Sequence, residues 1–156
     1  MAETAPKPFT PTQEKVASVA VRIMGAVNTW IFRASSGRLG NKFTHGAPVL
    51  LLTATGARSG QRRTTPLIYL ADGDDIVLVA SKGGMSHSPA WYHNLVKTPD
   101  CEVQVGSEVS AMRARRASDE EKAALWPRLL EVYPDYDDYQ ARTPRNIPVM
   151  VLSPRS

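Results

Sequence analysis

Apolar and polar residues alternate along this chain with changing period. Val16, Val19, Ala20, Ile23, Val27, Trp30 and Ile31 recur at three- and four-residue spacing, the signature of an amphipathic helix. Thr10-Pro11-Thr12-Gln13 starts it: Thr10 caps, Pro11 suits the first helical position and Gln13 completes a capping box. The helix spans 10–35 and ends near Ser35-Ser36-Gly37. A short arm, residues 1–9, precedes it with two prolines and is expected to be disordered. That apolar stripe is expected to pack on a core. With Arg22 and Arg33, the stripe also suits a peripheral membrane contact or a partner.

From Pro48 the period shortens. Pro48–Thr53 is an apolar run of strand length, and Pro66–Leu70 is a second. Asp72-Gly73-Asp74-Asp75 then signals a hairpin turn into Ile76–Ala80. Cys101–Val105 alternates, turns at Gly106-Ser107 and resumes as Val109–Arg115; Ile147–Leu152 is a last strand. Two helices interrupt these six strands. One starts at Ser88-Pro89, carries Trp91 to Val96 and stops before Pro99; the other opens on the capping box Ser118-Asp119-Glu120-Glu121 and runs to Tyr133, with Pro127 expected to bend or divide it. Hairpin-joined strands with inserted helices predict one α+β domain over residues 10–156. Its sheet is mostly antiparallel, curved or closed into a small barrel.

Composition adds exclusions. The 156 residues carry a net charge of +4, with 42% hydrophobic and 22% charged positions. That modest charge favours anionic ligands. Only 7% of residues are aromatic and they do not alternate with basic ones, which argues against nucleic acid. No apolar run approaches the roughly 20 residues of a membrane span, and the N-terminus lacks a signal pattern. The single Cys101 excludes an internal disulfide and suits a reducing, cytoplasmic setting. His45, His87 and His93 stand far apart, so no metal site is expected. Nucleophile-elbow and nucleotide-loop motifs are missing.

The unusual stretch is TATGARSGQRRTTPL, residues 53–67. It places Arg58, Arg62 and Arg63, with Gly56 and Gly60, between two apolar runs. Glycines let backbone N–H groups approach an anion, and arginine grips phosphate or carboxylate with two bonds. Lys82 adds a cation after a strand, Gly83-Gly84 would admit a flat ring near the backbone, and Trp91 and Tyr92 offer stacking surface. Charge alone does not separate this constellation from a solvated loop.

Five segments in order make a stronger signal: Thr55–Gly60, Arg63–Leu67, Ala80–Gly84, Pro89–Leu95 and Tyr133–Gln140. Together they resemble the deazaflavin-dependent nitroreductase family, whose members use coenzyme F420, an 8-hydroxy-5-deazaflavin. The resemblance covers about residues 40–152. It implies a split β-barrel like that of flavin reductases and pyridoxamine-phosphate oxidases. It also implies an oxidoreductase that passes a hydride from reduced F420 to a flat electrophile: a quinone, an α,β-unsaturated carbonyl or a nitroaromatic.

Residue by residue, Arg58 and Arg63 match the positions that meet the cofactor's phosphate and oligoglutamate tail, with Lys82 nearby. Lysine is also usual where Arg58 stands, and Arg62 falls where no base is demanded. Ser81, Lys82 and Gly83 would line the ring; Pro66, Trp91 and Asn94 would close around it. Tyr133, Tyr136 and Tyr139 would line the acceptor side, with Tyr136 as the catalytic donor. Their spacing of three aligns them best on a 3₁₀-like turn. The resemblance leaves monomer and homodimer open. An FMN-dependent split-barrel enzyme and a non-catalytic deazaflavin carrier are the rival readings.

Overall fold

The computed structural model describes residues 6–35, 42 and 46–155. Residues 1–5 of the predicted arm, Ser36-Gly37 of the predicted helix end, and His45 lie outside the described residues. The elements are α1 (Pro11–Ala34), β1 (Val49–Thr55), β2 (Arg62–Ile68), β3 (Leu70–Asp72), β4 (Asp75–Val79), α2 (Ala90–Lys97), β5 (Asp100–Val105), β6 (Glu108–Arg116), α3 (Asp119–Val132), α4 (Tyr136–Arg142) and β7 (Val149–Pro154).

Both predicted capping boxes form. Thr10 and Gln13 bond each other's backbone at the start of α1, and Ser118 and Glu121 do so at α3. A bidentate contact from Arg115 also holds the Glu121 carboxyl down at about 2. Of the two outcomes expected at Pro127, division does not occur: α3 continues through it as one helix. Among the described residues seven strands form rather than six. The second begins at Arg62, because Arg62, Arg63, Thr64 and Thr65 pair with Thr55, Ala54, Thr53 and Leu52. These polar residues sit at the hairpin end, so they carry no hydrophobic alternation. The same strand breaks at Tyr69, and Leu70–Asp72 continues as β3.

All strand pairs are antiparallel, in the order β2-β1-β5-β6-β7-β4-β3. The two ends of that order, β2 and β3, are separated along the chain by Tyr69 alone. The sheet therefore bends back on itself as a curled half-barrel.

β4 and β7 are buried on both faces. Ile76 and Leu78 join Leu50, Leu52, Val103, Met112, Met150 and Leu152 inside, where α2 adds Trp91 and Leu95. Val77 and Val79 face outward and pack with Val149, Val151, Leu129, Tyr133 and Tyr136, beneath α3 and α4. Continuous apolar runs such as Ile76–Ala80 follow from this two-sided burial. Each fully buried leucine contributes roughly 1.5–3 kcal/mol. Cys101 lies in the interior, where burial and the Asp100 charge push its thiol up to about 11.

The register places the functional segments together. Thr53 pairs with Glu102, Asp100 with Arg113, Arg116 with Met150 and Val79 with Val149. Hence the β1–β2 hairpin tip, the start of β5, the end of β6, the start of β7 and the end of β4 share one edge of the sheet.

At that edge a 3₁₀ turn, Lys82–Gly84, follows β4 with φ of 44°, 64° and 79° at Lys82, Gly83 and Gly84. A side chain at Gly84 would begin 2.6 Å from the Tyr139 carbonyl, whereas nothing lies within 4 Å of one at Gly83. Gly83→Ala should therefore lose only the left-handed penalty, about 1–2 kcal/mol. Gly84→Ala adds overpacking and should lose roughly 3 kcal/mol or more. Urea unfolding of both variants checks this; equal losses would refute the close approach.

Candidate active site

Two groups of side chains gather at this edge. The first surrounds the β1–β2 loop, which spans only residues 56–61, because Arg62 and Arg63 belong to β2. Gly56 N–H donates to the Gln61 carbonyl at 2.7 Å, and Gly60 N–H to the Gly56 carbonyl at 2.9 Å. Asn94 Oδ1 accepts from Ala57 N–H at 2.8 Å, and Lys97 Nζ donates to the Ala57 carbonyl at 2.6 Å. The loop is thus tied to α2 rather than free. Asn94 earns its near-complete burial by holding the loop. Trp91, 6% exposed, is committed to the barrel interior rather than offering a stacking face to solvent.

The three arginines are unequal. Arg62 pairs with Glu102 at 3.1 Å. Arg58 and Arg63 are exposed and form no ion pair among the described residues. Strand alternation sets Arg63 on the face of Thr65 and Leu67, and Pro66 on the opposite face with Thr64.

The second group surrounds the Lys82–Gly84 turn. Its carbonyls meet two arginines from the far end of the chain. Arg142 Nη1 donates to the Gly83 carbonyl at 3.0 Å. Arg145 donates to the carbonyls of Ser81 at 2.7 Å, Met85 at 2.8 Å and Ala80 at 3.3 Å. No sequence signal marked Arg145, since its closest partners are backbone oxygens. Lys82 Nζ and His87 Nε2 are 2.8 Å apart. Burial pushes the Lys82 ammonium down, Glu14 opposes this, and the charges of Arg22 and Arg145 push it further.

The tyrosines adjoin this turn through α4. Tyr139 touches Gly84, and its hydroxyl bonds that of Tyr133 at 3.0 Å. Tyr136 stacks edge-on against Tyr133 at 5.1 Å and Tyr139 at 6.4 Å. The 3₁₀-like alignment is corrected in part. Tyr136 N–H bonds the Tyr133 carbonyl three residues back, but Tyr139 N–H bonds Asp135 four back, within an α-helix. Burial raises the hydroxyl pKa of both Tyr136 and Tyr133, and the Tyr139 bond raises Tyr133 further. Ser81, Lys82, Gly83 and the three tyrosines are therefore one cluster; Arg58, Arg63, Trp91 and Asn94 belong to the other.

α1 spans both groups. Arg33 Nη2 donates to Thr64 Oγ1 at 2.9 Å, and Gly25 faces Pro66. At its start, Glu14 accepts from Ser86 N–H at 2.7 Å and Ser86 Oγ at 2.9 Å. Contrary to expectation, the apolar stripe does not pack on a core: Val16, Val19, Ile23, Val27 and Trp30 are exposed, with Met24 beside them, and the helix turns its Glu14, Gly25 and Phe32 side to the sheet. Among the described residues no cluster of His, Cys, Asp and Glu gathers to hold a metal, and no helix is long and apolar enough to cross a membrane.

A curled antiparallel sheet of this strand order is a split-barrel fold; HutZ, the heme storage protein from Vibrio cholerae, shares it at a TM-score of 0.53 and 12% identity over 69% of this chain and 82% of its own. The sequence pattern of the F420H(2)-dependent quinone reductases matches residues 24–154, and the chain belongs to that family. The F420H(2)-dependent quinone reductase Rv1261c of Mycobacterium tuberculosis H37Rv is 44% identical over 128 residues, 80% of this chain and 86% of its own. A solved F420-H2 dependent reductase, FDR-A, superposes at a TM-score of 0.64 with 39% identity, covering 68% of this chain and 94% of its own. A further solved structure, described as a domain-swapped dimer, has the same TM-score with 35% identity, covering 80% of this chain and 98% of its own.

The Ser86 bonds hold the Glu14 carboxyl below its usual range, so the tether of α1 is favoured above that range and lost as pH falls through the lowered value. Exchange at the Ser86 amide should accelerate as pH drops below about 4, relative to an amide of β5. Glu14→Gln should remove that pH dependence. Persistence of the dependence would free the tether from Glu14.

Proposed function

We propose that this protein is an F420H2-dependent quinone reductase whose cofactor lies along the edge between the two groups. One observation carries the reading: the Lys82–Gly84 turn is held with open space over Gly83, beside Lys82 and the tyrosine cluster. The residues fit the cofactor. Ser81, Lys82 and Gly83 offer a cationic turn for a planar ring, with Pro66 beyond. Arg58 and Arg63, with no ion pair among the described residues, offer cations for a phosphate and an acidic tail. Asn94 holds the loop that carries Arg58, and Trp91 supports it from the interior. When bound, reduced F420 supplies a hydride.

The protein's share is orientation and charge. An acceptor lying against the ring faces Tyr133, Tyr136 and Tyr139. Burial keeps the Tyr136 phenol protonated well above neutral pH, so it remains a donor to the oxyanion of a reduced quinone. Tyr133 and Tyr139 occupy each other's hydroxyls, which leaves Tyr136 as the donor of choice. Unsaturated carbonyls and nitroaromatics, equally flat, would meet the same donor. Quinones are often lipid-dissolved, and the exposed apolar side of α1 suits a peripheral membrane contact on the cytoplasmic side. A second copy covering that side is the competing occupant, raised by the relative described as a domain-swapped dimer.

Fluorescence titration with F420 and with FMN tests the cofactor, and tight binding of FMN alone would overturn the reading. Arg63→Ala should weaken F420 binding by roughly 1–3 kcal/mol, while Arg62→Ala, already paired, should change it little. Turnover of a soluble quinone by the F420H2-loaded enzyme excludes a carrier. Tyr136→Phe should lower kcat by about tenfold or more with cofactor affinity unchanged. An unaltered kcat would leave proton delivery to solvent. Co-sedimentation of the full chain with anionic vesicles, compared with Ile23→Glu, decides the role of α1. A concentration-dependent dimer without vesicle binding would assign that face to a second copy.

A further inference from the structure

We propose that Arg145 is the positioning residue of the cofactor site: its guanidinium imposes the backbone of residues 80–85 that the ring is to meet, and leaves a positive charge beneath it. The inference rests on the reading of that turn as the ring site. Arg145 donates to three backbone carbonyls, on Ala80, Ser81 and Met85, and to Ser88 Oγ at 3.4 Å. The carbonyls flank the turn on both sides, so one rigid planar fork spans it. Between them stand three consecutive left-handed residues, one of which, Lys82, is not glycine. Such a conformation persists only where its surroundings over-determine it. The contacts within the turn are two, Gly84 N–H to Ser81 O and Met85 N–H to Lys82 O. Arg145 and Arg142 supply the rest.

The charge of Arg145 is not cancelled locally. Among the described residues its hydrogen-bond partners are carbonyls and a hydroxyl, and both oxygens of Glu14, the acid that acts on it, are bonded to Ser86. With Lys82 and Arg142, it gives the turn a positive surround that favours an anionic ring. Lysine at position 145 would keep the charge but could not span both carbonyl sets, so the two roles separate.

The experiment compares Arg145→Lys and Arg145→Met in the full chain. In cofactor-free protein, both should speed amide exchange at Gly84 and Met85 at least tenfold, with the β5 amides unchanged. F420 affinity, by fluorescence, should fall at least tenfold in Arg145→Met. Arg145→Lys should lose less, because it retains the charge. The quinone KM at saturating cofactor should stay within twofold in both, which a general loosening of the fold would not allow. Wild-type exchange in Arg145→Lys would overturn the positioning role, since charge alone would then suffice. Unfolding of both variants would also overturn it, by making Arg145 a fold residue. If the wild-type protein binds no F420, the reading of the site fails, while the exchange arm still decides whether Arg145 sets the turn.

Discussion

Where α4 meets the turn after β4, two backbones touch with no side chain between them. The missing Cβ of Gly84 is what lets the Tyr139 carbonyl approach. From that contact the rest of the site follows. It sets Tyr139, and through it Tyr133 and Tyr136, beside Ser81–Gly83. It also delivers Arg142 and Arg145 to the carbonyls of the same turn. Any residue that pushed α4 outward would separate the tyrosines from the Lys82–Gly84 turn, although no member of either would have changed.

The sheet contributes by its register. An antiparallel order with short hairpins sends alternate strand ends to the same edge, so chain segments as distant as Arg58 and Arg145 become neighbours of one rim. β4 and β7 are apolar on both faces because the barrel interior takes one and α3 with α4 takes the other. The tyrosine cluster is therefore part of the outer core. Its rings stabilise that layer, and burial is also what keeps the hydroxyls of Tyr133 and Tyr136 protonated.

What was legible in the sequence was local or repeated. The capping boxes, the Asp72–Asp75 and Gly106-Ser107 turns and the strand runs each announce themselves within a few residues. The extent of β2 did not, because its hairpin end is polar on both faces. α4 was hidden by its seven-residue length and by a 3₁₀-like entry that suits the tyrosine spacing. The aromatic character of Trp91 could not say whether the ring faced ligand or core; only the burial of α2 decides that. Arg145 had no visible signal at all, since backbone carbonyls carry no side-chain identity. The ion pair of Arg62 was not legible either, because its partner Glu102 lies on β5, far along the chain.

The placement of Cys101 has a chemical corollary. Quinones are alkylating agents as well as oxidants, and a thiolate is the side chain that adds to them most readily. The chain's one thiol is enclosed by the barrel and stays in its unreactive SH form at neutral pH. An enzyme that draws such electrophiles to its surface thus presents no sulfur nucleophile for them to arylate, and can turn over its substrate without being consumed by it.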